Sequence, residues 1–321
     1  RPFQAKNRAV PRSPFASAGT NVQIGMGERS VRKGAIRHAG IITPTLGYKI
    51  SAQYYTGTDW KYDDPAEAAA RTANAALKER DFDVERQSVE ARFDYRPNQD
   101  LSAVVSAGYN QSDLIELTGL GAGQGINWAY NYAQARVQYR NLFAQVFRNW
   151  SDAGDTYLLA SGNPIIDKSA LNVFQIQHAY DLNSKQRFTY GVDALLTRPN
   201  TGGTITGRNE DDDDLNEYGA YLQSETDLME QLRFVFALRY DQHNRLDDGV
   251  LSPRAGLVYK LQESQTVRLT YNRAFDTPTS NTMYLDLIAR PDVYGIGSLF
   301  SESLGFSPTV DLATQGTYRG G

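Results

Sequence analysis

The chain has 321 residues, 33 basic against 37 acidic side chains, no cysteine, and 20 tyrosines beside 3 methionines and 3 tryptophans. The near balance of charge gives no drive toward nucleic acid, and without cysteine there is neither a disulfide framework nor thiol chemistry. Mean hydropathy is -0.51, and no run approaches the roughly 18 apolar residues of a membrane helix. Strands that alternate apolar and polar residues also average out as hydrophilic, so a membrane barrel stays open. Tyrosine, with an apolar ring and a polar tip, suits strands that end at a lipid–water boundary and soluble sheets alike.

In chain order, the dominant signal is alternation of period two. A helical stretch from Pro65 to Arg80 interrupts it, marked by Pro at its start and a run of Ala. Val89, Ala91, Phe93 and Tyr95 then alternate with Glu90, Arg92, Asp94 and Arg96. Leu101, Ala103, Val105, Ala107 and Tyr109 form the next apolar row, and Phe188, Tyr190, Val192, Ala194 and Leu196 another. The clearest strand sets Leu232, Phe234, Phe236, Leu238 and Tyr240 against Arg233, Val235, Ala237, Arg239 and Asp241. Ala255, Leu257 and Tyr259 follow, then Val267, Leu269 and Tyr271. Residues 276–321 lack sustained alternation and read mostly as one large loop.

This pattern predicts about thirteen strands, many of ten or more residues, where a tilted membrane strand needs about 9 to 11 and a soluble one nearer 5 or 6. The connections alternate in length. Short turns fall near residues 43–45, 96–100, 140–141, 182–185, 228–230 and 261–264, and longer loops near 56–84, 111–128, 150–169, 197–217 and 242–250. A brief connection between Glu28 and Gly34 takes the long-loop parity. An up-and-down membrane barrel has short turns on one side and long loops on the other; a Greek-key sandwich has no reason to keep that parity. The expected fold is therefore all-β, an antiparallel up-and-down transmembrane barrel.

Several residue groups invite chemistry. The acidic run Glu210-Asp211-Asp212-Asp213-Asp214 could attract calcium, but adjacent carboxylates lack the spaced ligands and turn glycine of a calcium loop, so a solvated loop is expected. His38, His178 and His243 are scattered and make no metal-ligand pair. The glycine-rich run Gly119 to Gly125 lacks the Lys-Ser/Thr ending of a phosphate loop and reads as a surface loop. Trp60, Trp128 and Trp150 lie at long-loop strand ends and suit an aromatic girdle better than ligand stacking. Arg233, Arg239, Arg254, Arg268 and Arg273 could meet an anionic ligand, or simply make a lumen wall polar. There is no nucleophile elbow, catalytic triad or carboxylate pair, and no enzyme is expected. No metal or cofactor site is assigned.

The stretch Leu251-Ser252-Pro253-Arg254-Ala255-Gly256-Leu257-Val258-Tyr259 and its continuation Thr266 to Thr279, with Arg273-Ala274-Phe275 and Pro278-Thr279, resembles the barrel of TonB-dependent receptors. Ser252, Pro253, Arg254, Arg273, Phe275 and Pro278 carry the match. Arg12-Ser13-Pro14-Phe15 with Gly27-Glu28-Arg29-Ser30 is similar to the junction of plug and first barrel strand in that family, and Gly47 to Tyr55 with Asp59-Trp60 and Asp64 to Glu67 is similar to an early hairpin. The resemblance implies a barrel of about 22 strands with a plugged lumen. Residues 1–20 would then hold at most the tail of the plug, and 21–321 a partial barrel lacking about nine strands. It also implies a bacterial outer-membrane location, contact with membrane lipid, and uptake of a scarce nutrient: a ferric siderophore, cobalamin, or a glycan or peptide. Energy would come from the TonB complex through the plug. An open sheet edge cannot face lipid, so the chain alone is not expected to transport. A passive porin-like barrel and a secreted all-β binding protein remain the alternatives.

Overall fold

A computed structural model describes residues 13–118, 121–290 and 312–316. After a short 3-10 turn at Pro14–Ala16, the strands are β1 Gly19–Met26, β2 Arg32–Thr43, β3 Leu46–Thr58, β4 Asp83–Tyr95, β5 Leu101–Thr118, β6 Gly121–Tyr139, β7 Leu142–Asp152 and β8 Tyr157–Leu158. They continue with β9 Ala170–Asn183, β10 Gln186–Arg198, β11 Leu215–Met229, β12 Leu232–His243, β13 Val250–Gln262 and β14 Gln265–Asn272. Helix α1 spans Pro65–Ala73 and α2 spans Ser280–Tyr284, followed by β15 Asp286–Arg290 and β16 Leu312–Gln315.

The main sheet has fourteen strands, and all but β8 lie in sequence order, each antiparallel to the next; β8 pairs only with β6. The thirteen-strand meander expected from the alternation is therefore present. Among the described residues β1 pairs only with β2 and β14 only with β13, so the sheet is not closed. A small separate sheet joins β15 to β16, within the region expected to be mostly loop.

Registers confirm which residues share a face. One row runs Ile50↔Ala91↔Ala107↔Ala133, another Phe174↔Ala194↔Tyr218, and a third Ile176↔Val192↔Ala220↔Tyr240↔Leu251. This apolar face is the exposed one: Ile176 is 53% and Val192 54% accessible, while polar-face Arg92 and Asp94 are 5% and 0%. A water-soluble protein has the opposite arrangement. The sheet thus curves with its polar face concave and its apolar face outward, as lipid requires. Aromatic residues mark both borders of the apolar band. Tyr48, Phe93, Tyr95, Tyr139 and Tyr259 lie toward the short turns, and Tyr54, Tyr109, Trp150, Tyr218 and Tyr240 toward the long loops. Tyr48 and Tyr54 on β3 are separated by six positions, about 20 Å along a strand.

The connection parity holds with one correction. The described residues of 111–128 are strand rather than loop. There β5 and β6 extend to Thr118 and from Gly121, making strands of 18 and 19 residues. Alternation fails there because Gly121, Gly123 and Gly125 break the pattern, yet the ladder continues past a register shift between Ser112 and Leu114, pairing Leu114 with Gly125 and Thr118 with Gly121. Backbone pairing needs no side-chain pattern, and at Gly125 a Cβ would lie 3.0 Å from the Leu114 carbonyl oxygen, so a small residue suits the close approach. The first two residues of the glycine-rich run, 119–120, lie outside the described residues, as does most of 1–20 that was expected to hold a plug tail.

The two faces predict a clear contrast. In a closed barrel that includes this sheet, Val192→Arg should lower unfolding free energy by about 2–4 kcal/mol in lipid vesicles. Thr189→Arg, on the polar face of the same strand, should change it by less than about 1 kcal/mol. Denaturant titration in vesicles measures both.

Candidate functional site

Two regions carry the polar chemistry: the concave wall and a crest of long loops above it. On the wall, charges are paired strand to strand. Arg239 donates to Asp193 at 2.7 and 2.9 Å and to Asp241 at 2.8 Å. Arg92 forks onto Asp94, which also accepts from Ser13 at 3.0 Å. Lys49 pairs with Glu90 at 3.4 Å, and Arg233 with Asp227 at 2.6 Å. Gln134, Gln145 and Gln175 form a ladder of amides across β6, β7 and β9 at 3.0 and 3.1 Å. Register sets the Lys49–Glu90 and Arg233–Asp227 pairs and the amide ladder, whose facing or diagonal residues on adjacent strands are close enough to bond, whereas Arg92 reaches Asp94 along its own strand and Arg239 reaches Asp193 across β11. A concavity of about 720 Å³ opens on this wall beside Arg37, Lys49, Glu90, Tyr130 and Tyr132.

Of the five wall arginines expected from sequence, Arg233 and Arg239 are consumed by carboxylates, whereas Arg254 and Arg268 are exposed on the polar face and have no ion pair among the described residues. The motif residues gather at one corner. Ser252, Pro253 and Arg254 open β13, and Arg273 follows β14, where its N–H donates to the Pro253 carbonyl at 3.0 Å. The Pro253 nitrogen points the same way, toward Arg273 beyond the last β13–β14 register pair, so the one bond the proline cannot make is at the very end of the ladder. Phe275 and Pro278 are exposed in the segment leaving the sheet, where Thr277 donates to Glu217 at 3.1 Å. The residues form a hairpin corner, and Phe275 and Pro278 stand outside the wall.

The crest is one interlocked body. Helix α1 is capped by Asp64, whose side chain accepts from the Ala66 N–H. Glu67 is 3% exposed and takes a bidentate pair of bonds from Arg80 at 2.7 and 2.8 Å, closing the 59–82 loop on itself. Asp81 then exchanges two bonds with the Gln124 side chain, fastening that loop to the tall β5–β6 hairpin. Strand β8 covers the same hairpin. The 153–169 and 199–214 segments join through Ile166 N–H to Thr204 Oγ1 and Lys168 N–H to the Asn200 carbonyl. An open cleft of about 690 Å³ lies between them and β15, lined by Leu158, Asn163, Thr204, Arg208 and Asp286 among others.

The acidic run is a solvated loop only in part: Asp211, Asp212 and Asp214 are exposed while Glu210 and Asp213 turn inward, and the carboxylates do not converge as a calcium site. Glu210 accepts from the N–H groups of Thr201, Gly202 and Gly203 and the hydroxyls of Thr201 and Thr206. Although burial alone would raise its pKa, those bonds hold its carboxyl at about 2. Asp212 pairs with Arg245 and Asp214 with Arg198. Asp286 is lowered to about 2, chiefly by Arg208. Among the described residues no group of three or more His, Asp or Glu could hold a metal. The histidines are apart: His38 bonds Thr20 and Tyr48, His178 bonds Tyr190, and His243 is buried at the crest. Trp150 lies in the apolar face as expected of a girdle; Trp128 falls in the polar row, and Trp60 stands in the loop after β3 with the Arg29 guanidinium 4.3 Å from its ring.

The β-barrel family model described as TonB dependent receptor-like matches residues 37–312. The chain belongs to this family. No curated protein sequence matches the chain. Among solved structures, the TonB-dependent receptor barrel is similar to the FrpB iron transporter of Neisseria meningitidis, with a TM-score of 0.61, 11% identity, and 81% of this chain matched to 46% of that one. The siderophore receptor PirA of Pseudomonas aeruginosa gives 0.58 and 13%, with 84% of this chain on 45% of that one. The ferric enterobactin receptor PfeA of the same organism gives 0.55 and 14%, with 84% on 46%. At these identities the likeness is one of fold, and the chain spans less than half of each structure.

Two predictions test the crest. Glu67→Gln leaves Arg80 with only the more distant Asp64, at 3.8 Å, as charge partner and should destabilise the 59–82 loop locally by about 1–3 kcal/mol; limited proteolysis between Asn74 and Phe82 reports it. The Glu210 and Asp286 carboxyls lie below their ordinary range, so the stability they give is full above that range and is lost as pH falls through about 2. Hydrogen exchange should therefore find their bonds in the 201–210 turn still largely protected at pH 5 and lost near pH 2.

Proposed function

We propose that this chain is part of a TonB-dependent receptor of the bacterial outer membrane, taking up a scarce nutrient of the metal-chelate class, a ferric siderophore first among them. The observation that carries the reading is an exposed apolar face with aromatic borders backed by a charged concave wall, in a chain of this family. Structural neighbours named as iron transporter and siderophore receptors favour the iron-chelate ligand over cobalamin or a glycan. The crest is the surface for capture, and Arg254 and Arg268 supply positive potential on the polar face below it. Outer-membrane lipid covers the apolar face. The TonB complex acts through a plug, to which residues 1–20 contribute at most a tail, with the barrel occupying 21–321. The family-motif residues Ser252, Pro253, Arg254, Arg273, Phe275 and Pro278 hold the corner from which the segment after β14 rises to the crest. No catalysis is assigned to the chain.

Uptake of radiolabelled ferric chelate by cells carrying the whole receptor tests this. Uptake should disappear when TonB is deleted and when residues 199–214 are replaced by a short Gly-Ser linker, with the receptor still in the outer membrane. Uptake that persists without TonB indicates a passive barrel instead. Cells expressing only this chain should show none, because the β1 and β14 edges present unpaired backbone groups that lipid does not tolerate.

A further inference from the structure

The crest contains one carboxyl that neither the wall nor ligand capture uses. Asp213 is 2% exposed, and its Oδ2 has no hydrogen-bond partner. It lies against Thr206, which is fully buried. The protons at this spot can be counted. The Thr201 and Thr206 hydroxyls both donate to Glu210 Oε2, at 2.5 and 2.6 Å, and lie 3.0 Å from each other. Each hydroxyl has a single hydrogen, and both are committed within this trio. Thr206 therefore has only lone pairs to offer Asp213. An ionised carboxylate is an acceptor alone, so ionised Asp213 would set acceptor against acceptor in a buried space. A protonated Asp213 supplies the missing hydrogen.

Among the described residues no unpaired positive charge relieves the problem. From its own segment Glu210 and Asp214 add negative charge. Arg208 is paired with Asp286 of β15, Arg198 at the end of β10 with Asp214, and Arg245 with Asp212. His243, at the end of β12, accepts the Arg245 N–H at Nδ1, which leaves the hydrogen of a neutral ring on Nε2. Tyr284 of α2 lies under the Arg245 guanidinium, 5.4 Å from ring centre to carbon. Burial, reinforced by Glu210 and Asp214, pushes the Asp213 carboxyl up to about 6.

Asp213 also sits at a joint. The next residue but one, Leu215, packs with Met283 and Tyr284 in a buried cluster. The Asn209 side chain donates to the Tyr284 carbonyl at 2.9 Å, and Asn244 donates to the Asp214 carbonyl at 2.9 Å. Segments 199–214, 244–249 and α2 thus meet through the residues on either side of this group, Asp212 on Arg245, Asp214 on Asn244 and Leu215 on α2. We propose that Asp213 is a proton-operated latch on the loop crest: as a neutral acid it fastens the 199–214 segment to the 244–249 turn and α2, and on ionisation it releases them. A carboxyl held above its ordinary range stabilises in acid and loses that contribution as pH rises through about 6, so the crest is closed in mild acid and loosened above neutrality. That the crest faces the cell exterior rests on the uptake reading; the latch itself does not, and its test needs no transport.

The test is hydrogen exchange of the whole receptor in detergent between pH 5 and 8, corrected for the intrinsic pH dependence of exchange. Protection of peptides covering 201–214 and 280–286 should fall about tenfold across this range, while peptides from β9 and β10 stay constant. Asp213→Asn, whose amide can donate to Thr206 as the neutral acid does, should stay protected throughout. Equal protection of the wild type at both ends, or the same pH response in Asp213→Asn, overturns the latch. Should the variant fail to fold, infrared difference spectra of isotopically labelled wild type decide it: a protonated-carboxyl band lost near pH 6 supports the latch, and its absence at pH 5 refutes it.

Discussion

The backbone hydrogen-bond ladder is the constraint on which everything else in this structure depends. Lipid offers no partner to a peptide N–H or C=O, so each strand of the apolar band must find both its neighbours within the protein. The meander from β1 to β14 satisfies this at every interior strand by joining each strand to the next in sequence. Once the ladder is antiparallel and in order, side chains have only two places to go, and the outward set must be apolar. That single requirement fixes the exposed rows of Ile176, Val192 and Ala220 and, one residue away, the polar row of Gln175, Asp193 and Gly219.

The same geometry creates the wall. With apolar residues outward, most charged residues at the middle of the strands fall on the concave face, where those of low exposure find partners; Arg148 and Glu85, on the outward row, lie near its long-loop border. Arg239 between Asp193 and Asp241 is the clearest case, a guanidinium fork bridging β10 and β12 across the intervening strand. Such pairing neutralises part of the wall, and among the described residues Arg37, Arg86 and Arg136 as well as Arg254 and Arg268 remain on the polar face without an ion pair. The crest answers a different demand. Its loops have no ladder to join, so they satisfy their polar groups on one another: Glu67 on Arg80, Glu210 on the 201–206 turn, Asp81 on Gln124.

Strands with strict alternation, such as Leu232 to Tyr240 and Val89 to Tyr95, were legible because their period records the two faces directly. The upper halves of β5 and β6 were not. Leu114 to Thr118 and Gly121 to Gly125 rise above the membrane band, where no lipid imposes a pattern, and pairing there rests on the backbone alone. The motif around Ser252 and Arg273 was visible as a resemblance, and the structure places it as a corner of the last hairpin. The crest was opaque for a physical reason. Glu210 and Asp213 are three positions apart in one acidic run, yet one is surrounded by donors and the other by acceptors, a difference set by the fold of the 201–206 turn and by α2, some seventy residues away. A glycine- and threonine-rich turn followed by an acid, Gly202 to Glu210, is the one sequence feature that hints at an anion nest there.

The central claim is that the chain's apolar face meets lipid while its polar face does not. This chain has no native cysteine, so single cysteines can be placed along β12 from Arg233 to Arg239 in the receptor, with any cysteine outside the chain replaced by serine, and spin-labelled in vesicles. Accessibility to oxygen dissolved in the bilayer should peak at Phe234, Phe236 and Leu238 and fall at Arg233, Val235, Ala237 and Arg239, with a period of two. A flat profile, or one in which a water-soluble relaxing agent reaches Phe236 as readily as Ala237, would contradict the account.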